Sequence, residues 1–448
     1  MKKITKALLL FIVSAWLAGE AMAQDSPTAF SLEEAQQYAM KNSYVLRNTG
    51  LEINKARKKV WETITIGLPQ VSGSANYNKF LNLPVSLIPG EFFGKPAGTY
   101  IPVKFGQDYN SDFGITVSQL LFDGSYIVGV GSSKVYLNLA SQANEKAKID
   151  IRDAVAQAYY LVLIGEANLK VMKENLENTQ RLYNDTKAYY DNGFREEQDV
   201  DQMKLMVKSA ENEILKATRE IKISKVVLKY TMGFDLDNEI ILSDELDKFL
   251  APLLKKDPST SFDYTSHIDY KLSQTNYMVS EKLLRLEKSA YLPKLSAFYN
   301  WNKTAYGSNA NLFRAKIPWF KSSMVGFQLT MPIFSSGQKA AKVQQARIDL
   351  EKAENDRILA TETLQKEYLT ALANMESMLE KYENDKENRQ LSEKILNKAK
   401  FKFNNGVTSS TELSQIETQY LQSHGAYIVS TLQLLQANLA LKKALGKL

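Results

Sequence analysis

The chain carries most of its plan in duplicate. Residues Ile66–Asn78 return, with the same Leu-Pro pair and the same alternation, as Ala290–Asn302. Phe113–Phe122 returns as Val325–Phe334, Tyr190–Gly193 as Phe403–Gly406, and Tyr230–Gly233 as Lys443–Gly446. The offset is 224 in the first block, 212 in the second and 213 in the last two, so the first copy holds 12 extra residues between its first two blocks. A repeat of this kind is one supersecondary unit used twice, and any function has to be built on it.

The N-terminus reads as a signal peptide over 1–23. Lys2, Lys3 and Lys6 precede an apolar stretch from Leu8 to Leu17, and Ala21-Met22-Ala23 supplies a small-residue cleavage site. The mature chain is expected to begin near Gln24. Cleavage removes three lysines and Glu20 and lowers the formal net charge from +6 to +4. That mild excess lacks the basic clustering of a nucleic-acid binder. There is no cysteine, which points to a bacterial exported protein and not to a small disulfide-stapled module. Beyond the signal the longest apolar run, Ala158 to Gly165, is far too short for a membrane-spanning helix.

After Phe122 the pattern becomes helical. Ile151, Val155, Ala158, Val162, Gly165, Leu169, Met172, Leu176, Thr179, Tyr183, Thr186 and Tyr190 step by four and three without a slip, the signature of a coiled coil. The second copy keeps this register through Leu364, Tyr368, Ala371, Met375, Met378 and Tyr382, turns polar at Asp385, Arg389 and Ser392, and recovers at Leu396, Ala399 and Phe403. Gly193 and Gly406 then break each long helix, and a second heptad run returns, so each repeat predicts a helical hairpin with a glycine tip. A helix over 126–192 runs roughly 100 Å, and the return helix over 196–232 about half of that. Ser31 to Ile64, opened by a capping box of Ser31 with Glu34, and His267 to Tyr291 supply the missing length beside the long helices. The organisation is therefore repeat one over 24–233, an inter-repeat segment over 234–262, and repeat two over 263–448.

Four segments alternate with period two: strand pairs near 68–83 and 108–122 in repeat one, and near 292–303 and 323–334 in repeat two. Val71, Gly73, Ala75 and Tyr77 oppose Ser72, Ser74, Asn76 and Asn78; Leu295, Ala297, Tyr299 and Trp301 oppose a polar face on which Phe298 is the exception. Strands of about ten residues, apolar on one side, fit an outer-membrane barrel; a soluble sheet with one wet face alternates in the same way. Tyr77, Phe80, Tyr299 and Trp301 are candidates for an interfacial aromatic girdle. Four strands cannot close around a lumen, and a bilayer tolerates no open sheet edge. Several copies must therefore pool their strands: two give eight, three give twelve, and the strand count alone does not choose.

The Ser31–Ala35 segment, the Leu68-Pro69 and Leu292-Pro293 pairs, Pro332–Gly337, and the Asn-Gly tips followed by Asp199-Val200 and Glu412-Leu413 resemble the TolC-like outer-membrane efflux family, over nearly the whole mature chain. The resemblance implies a mainly α fold with a β-barrel part: a homotrimer with a twelve-stranded barrel in the outer membrane of a Gram-negative bacterium, a long α-helical barrel in the periplasm, and a small mixed domain that takes in 234–262. It implies a passive exit channel of a tripartite efflux or type I secretion system. A periplasmic adaptor (membrane fusion) protein and an inner-membrane pump of RND or ABC type would be its partners, with no cofactor. A pore-less periplasmic or surface coiled-coil protein is the alternative; it accounts for the heptads but not for four alternating strands at matched places.

Asp199 and Glu412 are equivalent across the repeat. In a trimer they would put six carboxylates around one axis, and acidic rings select cations. Either acid also suits the first turn of a return helix. Gln202 and Gln415 follow three residues on; relatives often carry a second acid at the latter position, so the gate here is expected to be less charged. Asn192, Gly193, Asn405 and Gly406 are the tip turns, and the resemblance makes them adaptor-docking sites. Gly124–Gly129 imitates a phosphate loop, but Val130 stands where lysine is required. His267 and His424 have no cysteine partner, so no metal site is expected, and no nucleophile, base and orienting acid can be assembled.

Overall fold

The computed structural model describes residues 28–254, 262–314 and 316–448; the expected signal peptide lies outside them. In chain order the elements are β1 (Thr28–Phe30), α1 (Leu32–Asn42), α2 (Tyr44–Thr65), β2 (Gln70–Lys79), β3 (Val85–Pro89), β4 (Tyr100–Lys104), β5 (Tyr109–Asp123), α3 (Gly124–Asp191) and α4 (Glu197–Met232). Then follow β6 (Ile240–Leu242), α5 (Leu246–Leu250), α6 (Ile268–Ser289), β7 (Lys294–Gly307), β8 (Trp319–Thr330), α7 (Gln338–Asn404) and α8 (Ser410–Ala444). Contacts divide the chain into a helical unit (Met1–Glu52, Ser141–Leu272, Ile358–Leu448) and a sheet-bearing unit (Ile53–Ala140, Ser273–Arg357).

In the helical unit many of the heptad positions are buried, together with neighbours such as Tyr159, Leu163 and Leu182 of α3. Val155, Ala158, Val162, Thr179 and Thr186 of α3 are sequestered, as are Leu364, Tyr382, Leu396, Ala399 and Phe403 of α7 and Leu413, Tyr420, Leu434 and Ala437 of α8. Burial of these stripes, not helix propensity, is the main source of stability in helices of such length. The polar interval of α7 is also real: Asp385 Oδ2 and Arg389 Nε are buried without a hydrogen bond among the described residues.

Ser31 and Glu34 form the expected capping box. The segment it opens is not one helix, however, but two that break at Ser43, where ψ is 126°. The turn that ends α4 packs there: a side chain at Gly233, which has φ +71°, would come 2.7 Å from the Asn42 carbonyl oxygen. A three-residue parallel pair, β1 with β6, joins the chain start to the inter-repeat segment. Tyr159 of α3 clamps this pair, its hydroxyl 3.0 Å from the Phe30 carbonyl and 3.1 Å from Asp244 Oδ2. Burial pushes the Tyr159 hydroxyl pKa well up.

In the other unit the four long strands form one antiparallel sheet in the order β2-β5-β7-β8. The final strand begins at Trp319 and stops at Thr330, short of the expected 334, because Pro332 has no N–H to give a ladder. The long loop after β2 holds an unexpected hairpin of β3 with β4. Residues opposite one another share a face. One face includes Val71, Ile115, Val117, Tyr299, Trp301, Val325 and Phe327; the other is mostly small or polar, and includes the Asn76–Asp112 hydrogen bond at 3.0 Å. Phe298, an exception on this face together with Met324, Phe320 and Tyr306, lies across Gly326, its partner on β8.

Candidate functional site at the helical tips

Both hairpin tips close with the same backbone turn. Gly193 has φ +79° and Gly406 φ +74°, a conformation glycine adopts without strain. Gly193 N donates to Tyr190 O and Phe194 N to Tyr189 O; Gly406 N donates to Phe403 O and Val407 N to Lys402 O. This pair of bonds is the Schellman motif, which satisfies the last carbonyls of a helix. The preceding asparagines do the same with their side chains. Asn192 Nδ2 donates to Ala188 O at 2.7 Å and Asn405 Nδ2 to Phe401 O at 2.8 Å.

The side chains after the turn differ. In the first tip Arg195 ion-pairs with Asp199 at 3.6 Å, and both side chains are largely buried. The Arg195 guanidinium lies 4.3 Å from the centre of the Phe403 ring and donates to the Phe403 carbonyl, so it is seated on the end of α7. It meets there a π face, a helix-end carbonyl with a second lone pair to offer and the negative end of a helix, all favourable to a cation. In the second tip the equivalent residue is Thr408. Its hydroxyl donates to Glu412 Oε2 at 3.3 Å, while Ser409 caps α8 by accepting from Glu412 N. Glu412 and Gln415 are exposed and Gln202 half-buried. The two acids thus belong to different environments: Asp199 is neutralised within the chain and Glu412 faces solvent.

Further along, α8 is tied to α3 through buried polar groups. Glu417 Oε1 accepts from Asn175 Nδ2 at 2.9 Å and Thr179 Oγ1 at 3.0 Å. His424 Nε2 lies 3.0 Å from Asn168 Oδ1. Burial, aided by the positive charge of Arg389, pushes the His424 pKa down to about 4, so the ring is neutral near pH 7. Gln202 joins Asn175, Met206, Glu417, Leu421 and His424 around a cavity of about 510 Å³.

Arg195 and Glu417 were not singled out in the sequence. The available signal for Arg195 was a break in the repeat, an arginine four residues before Asp199 where the second copy has Thr408. The four candidate girdle aromatics do not form one row. Tyr299 and Trp301 lie opposite Val117 and Ile115, Tyr77 lies opposite Ser111 nearer the loops, and Phe80 follows the end of β2. Among the described residues no cluster of three or more metal-ligating side chains occurs, and no helix is long and apolar enough to cross a membrane.

The family model for outer membrane efflux proteins matches residues 36–233 and 273–447, both halves of the duplication. The chain belongs to the outer membrane efflux protein family. Solved channels of the same fold include CusC, with a TM-score of 0.70 at 17% identity, covering 95% of this chain and 95% of that one. The CmeC outer membrane channel of Campylobacter jejuni gives 0.69 at 17%, covering 96% and 91%. The outer membrane protein VceC of Vibrio cholerae gives 0.68 at 16%, covering 93% and 96%. No curated protein matches the sequence at a significant level. As an efflux-family chain it is an outer-membrane protein of the α-hairpin and β-barrel type, and its family consists of channels.

Proposed function

We propose that three copies of this chain assemble into a passive exit duct of a tripartite efflux or type I secretion system. Each copy contributes four strands to a twelve-stranded wall, and the tips form a gate opened by a periplasmic adaptor. The duct does no chemistry; an inner-membrane pump of RND or ABC type supplies the energy. The observation that carries this reading is the open sheet: β2 and β8 each have a neighbour on one side only, among the described residues. Backbone edges of 10 and 12 residues are untenable in lipid unless another strand pairs with them. Three copies, unlike two, leave a water-filled lumen.

The duplication supports a specific pairing between copies. Adding 224 to β2 and 212 to β5 turns the pair Gln70–Ser118 into Lys294–Thr330, which is the observed register of β7 with β8. The same operation carries the observed pair Thr116–Asn300 onto Gln328 of one copy and Asn76 of the next.

At the tips, Phe194 and Val407, 78% and 72% exposed, occupy equivalent places just after the turn and offer apolar contacts for an adaptor. Arg195 acts as a latch between the two hairpins, and Glu412 supplies the accessible acidic ring. Planar-bilayer recording of the purified protein tests both roles. Arg195→Ala is expected to raise the open probability, and Glu412→Ala to weaken cation selectivity more than Asp199→Ala does. Absence of any channel conductance would end the duct reading; unchanged gating and selectivity in all three variants would remove the tip roles.

A further inference from the structure

The apolar face of the sheet changes chemistry towards its loop end. Reading across the strands, the rows Val71–Val117–Tyr299–Val325 and Gly73–Ile115–Trp301–Ser323 are apolar or small. The next row is Ala75–Phe113–Lys303–Lys321, followed by Tyr77–Ser111–Ala305–Trp319 and by Lys79–Tyr109–Gly307. Two lysines therefore stand directly opposite one another on neighbouring strands, an arrangement that costs stability by like-charge repulsion unless an anion lies between them. Lys303 Nζ is 5.8 Å from the centre of the Trp319 ring and Lys79 Nζ 5.6 Å from that of Tyr109. At the other end of the sheet Lys294 pairs with Asp123 at 3.7 Å. Lys79, Lys303 and Lys321 have no carboxylate partner among the described residues.

We propose that Lys303 and Lys321 bind a phosphate group of an anionic lipid in the leaflet that surrounds the loop end of the sheet. The inference rests on the reading of this face as a membrane wall. Cross-strand Cβ atoms lie about 5 Å apart, so two flexible ammonium groups can converge on one phosphomonoester. Trp319 and Tyr109 sit at headgroup depth, where aromatic rings with one polar edge are favoured. Acyl chains run over Trp301, Tyr299 and Val325. A lipid is favoured over a dissolved anion because the lysines border an apolar face and not an aqueous cleft. A lysine merely reaching for water would not require two of them across one strand pair.

The test uses the full-length protein purified in a neutral detergent, with tryptophan fluorescence as the readout. The probes are diphosphorylated lipid A, its dephosphorylated counterpart and inorganic phosphate. The phosphorylated lipid is expected to bind about tenfold or more tightly than the dephosphorylated one, and the double variant Lys303→Gln/Lys321→Gln to lose that margin. Lys134→Gln, an exposed lysine of α3, is expected to keep it. Inorganic phosphate at millimolar concentration is expected not to compete. Full competition would mean a free-anion site and overturn the lipid assignment. Equal loss in Lys134→Gln, or no loss in the double variant, would overturn the site. Membrane fractionation of the wild type separates the two levels: if the protein leaves the outer membrane without detergent the wall reading fails, whereas membrane insertion with phosphate-blind binding fails the site alone.

Discussion

At the first tip the long helix ends in Tyr190, Asn192 and Gly193; at the second it ends in Phe403, Asn405 and Gly406. The turn hydrogen bonds and asparagine caps correspond residue for residue, yet Tyr190 is 40% exposed and Phe403 1%. Arg195 crosses from the first tip to the Phe403 ring and carbonyl, and Thr408 makes no return contact of that kind. Duplication has preserved what a helix end requires and released the side chains that join one hairpin to the other. A gate built from such a pair is asymmetric: one tip holds and the other is held.

The largest difference between the tips is expected when the paired aromatics are truncated. Phe403→Ala is expected to cost about 3–5 kcal/mol, whereas Tyr190→Ala stays within about 0.5 kcal/mol; chemical unfolding of the helical signal measures both. Equal losses would mean that the tips are packed alike.

His424 is buried, whereas its repeat-one equivalent Glu211 forms a surface ion pair with Lys208. The His424 pKa is held near 4 in the fold, below the ordinary value of 6.5, so the unfolded chain binds the extra proton between those values. Stability is full above about pH 6.5 and falls on acidification towards pH 4, by about 2–3 kcal/mol. His424→Gln is expected to flatten this slope in a pH series of melting curves, and Glu211→Gln to leave it unchanged.

Arg195→Ala removes an ion pair, a hydrogen bond and a ring contact that are mostly shielded from solvent. It is expected to cost about 1–2 kcal/mol and to speed amide exchange near 190–200 and 403–413, while Thr408→Ala stays within about 0.5 kcal/mol. Smallest is the cap. Ser409 caps α8 through its side chain, whereas Glu196 at the same place before α4 makes no such bond. Ser409→Ala is expected to cost about 1 kcal/mol and Glu196→Ala nothing measurable in the same unfolding assay.

Much of this was legible in the sequence because periodic burial writes itself periodically. The four-three steps from Ile151 to Tyr190 and from Leu364 to Phe403 mark helices that bury one stripe, and the alternation around Val71 and Leu295 marks strands that differ between faces. The β3–β4 hairpin was hidden because Pro89 and Pro102 stand inside its strands and read as loop. The pair β1 with β6 is three residues long and joins segments some 200 positions apart, beyond any local pattern. The break at Ser43 lies against the turn at Gly233, a contact between segments distant in sequence. At the tips, the glycines, asparagines and acids were visible as motifs. The seat of Arg195 on Phe403 and the burial of Glu417 beneath Asn175 and Thr179 were not, since they arise where two hairpins meet.

The incomplete sheet is most directly tested by cysteine pairing between copies, in a chain whose own sequence has no cysteine. Asn76→Cys with Gln328→Cys, oxidised in the native envelope, is expected to yield covalent trimers on a non-reducing gel. Asn76→Cys with Ser322→Cys, shifted six residues or about 20 Å along the strand, is expected to remain uncrosslinked. A monomeric disulfide in the first pair, or no crosslink at all in membrane-inserted protein, would contradict the pooled wall.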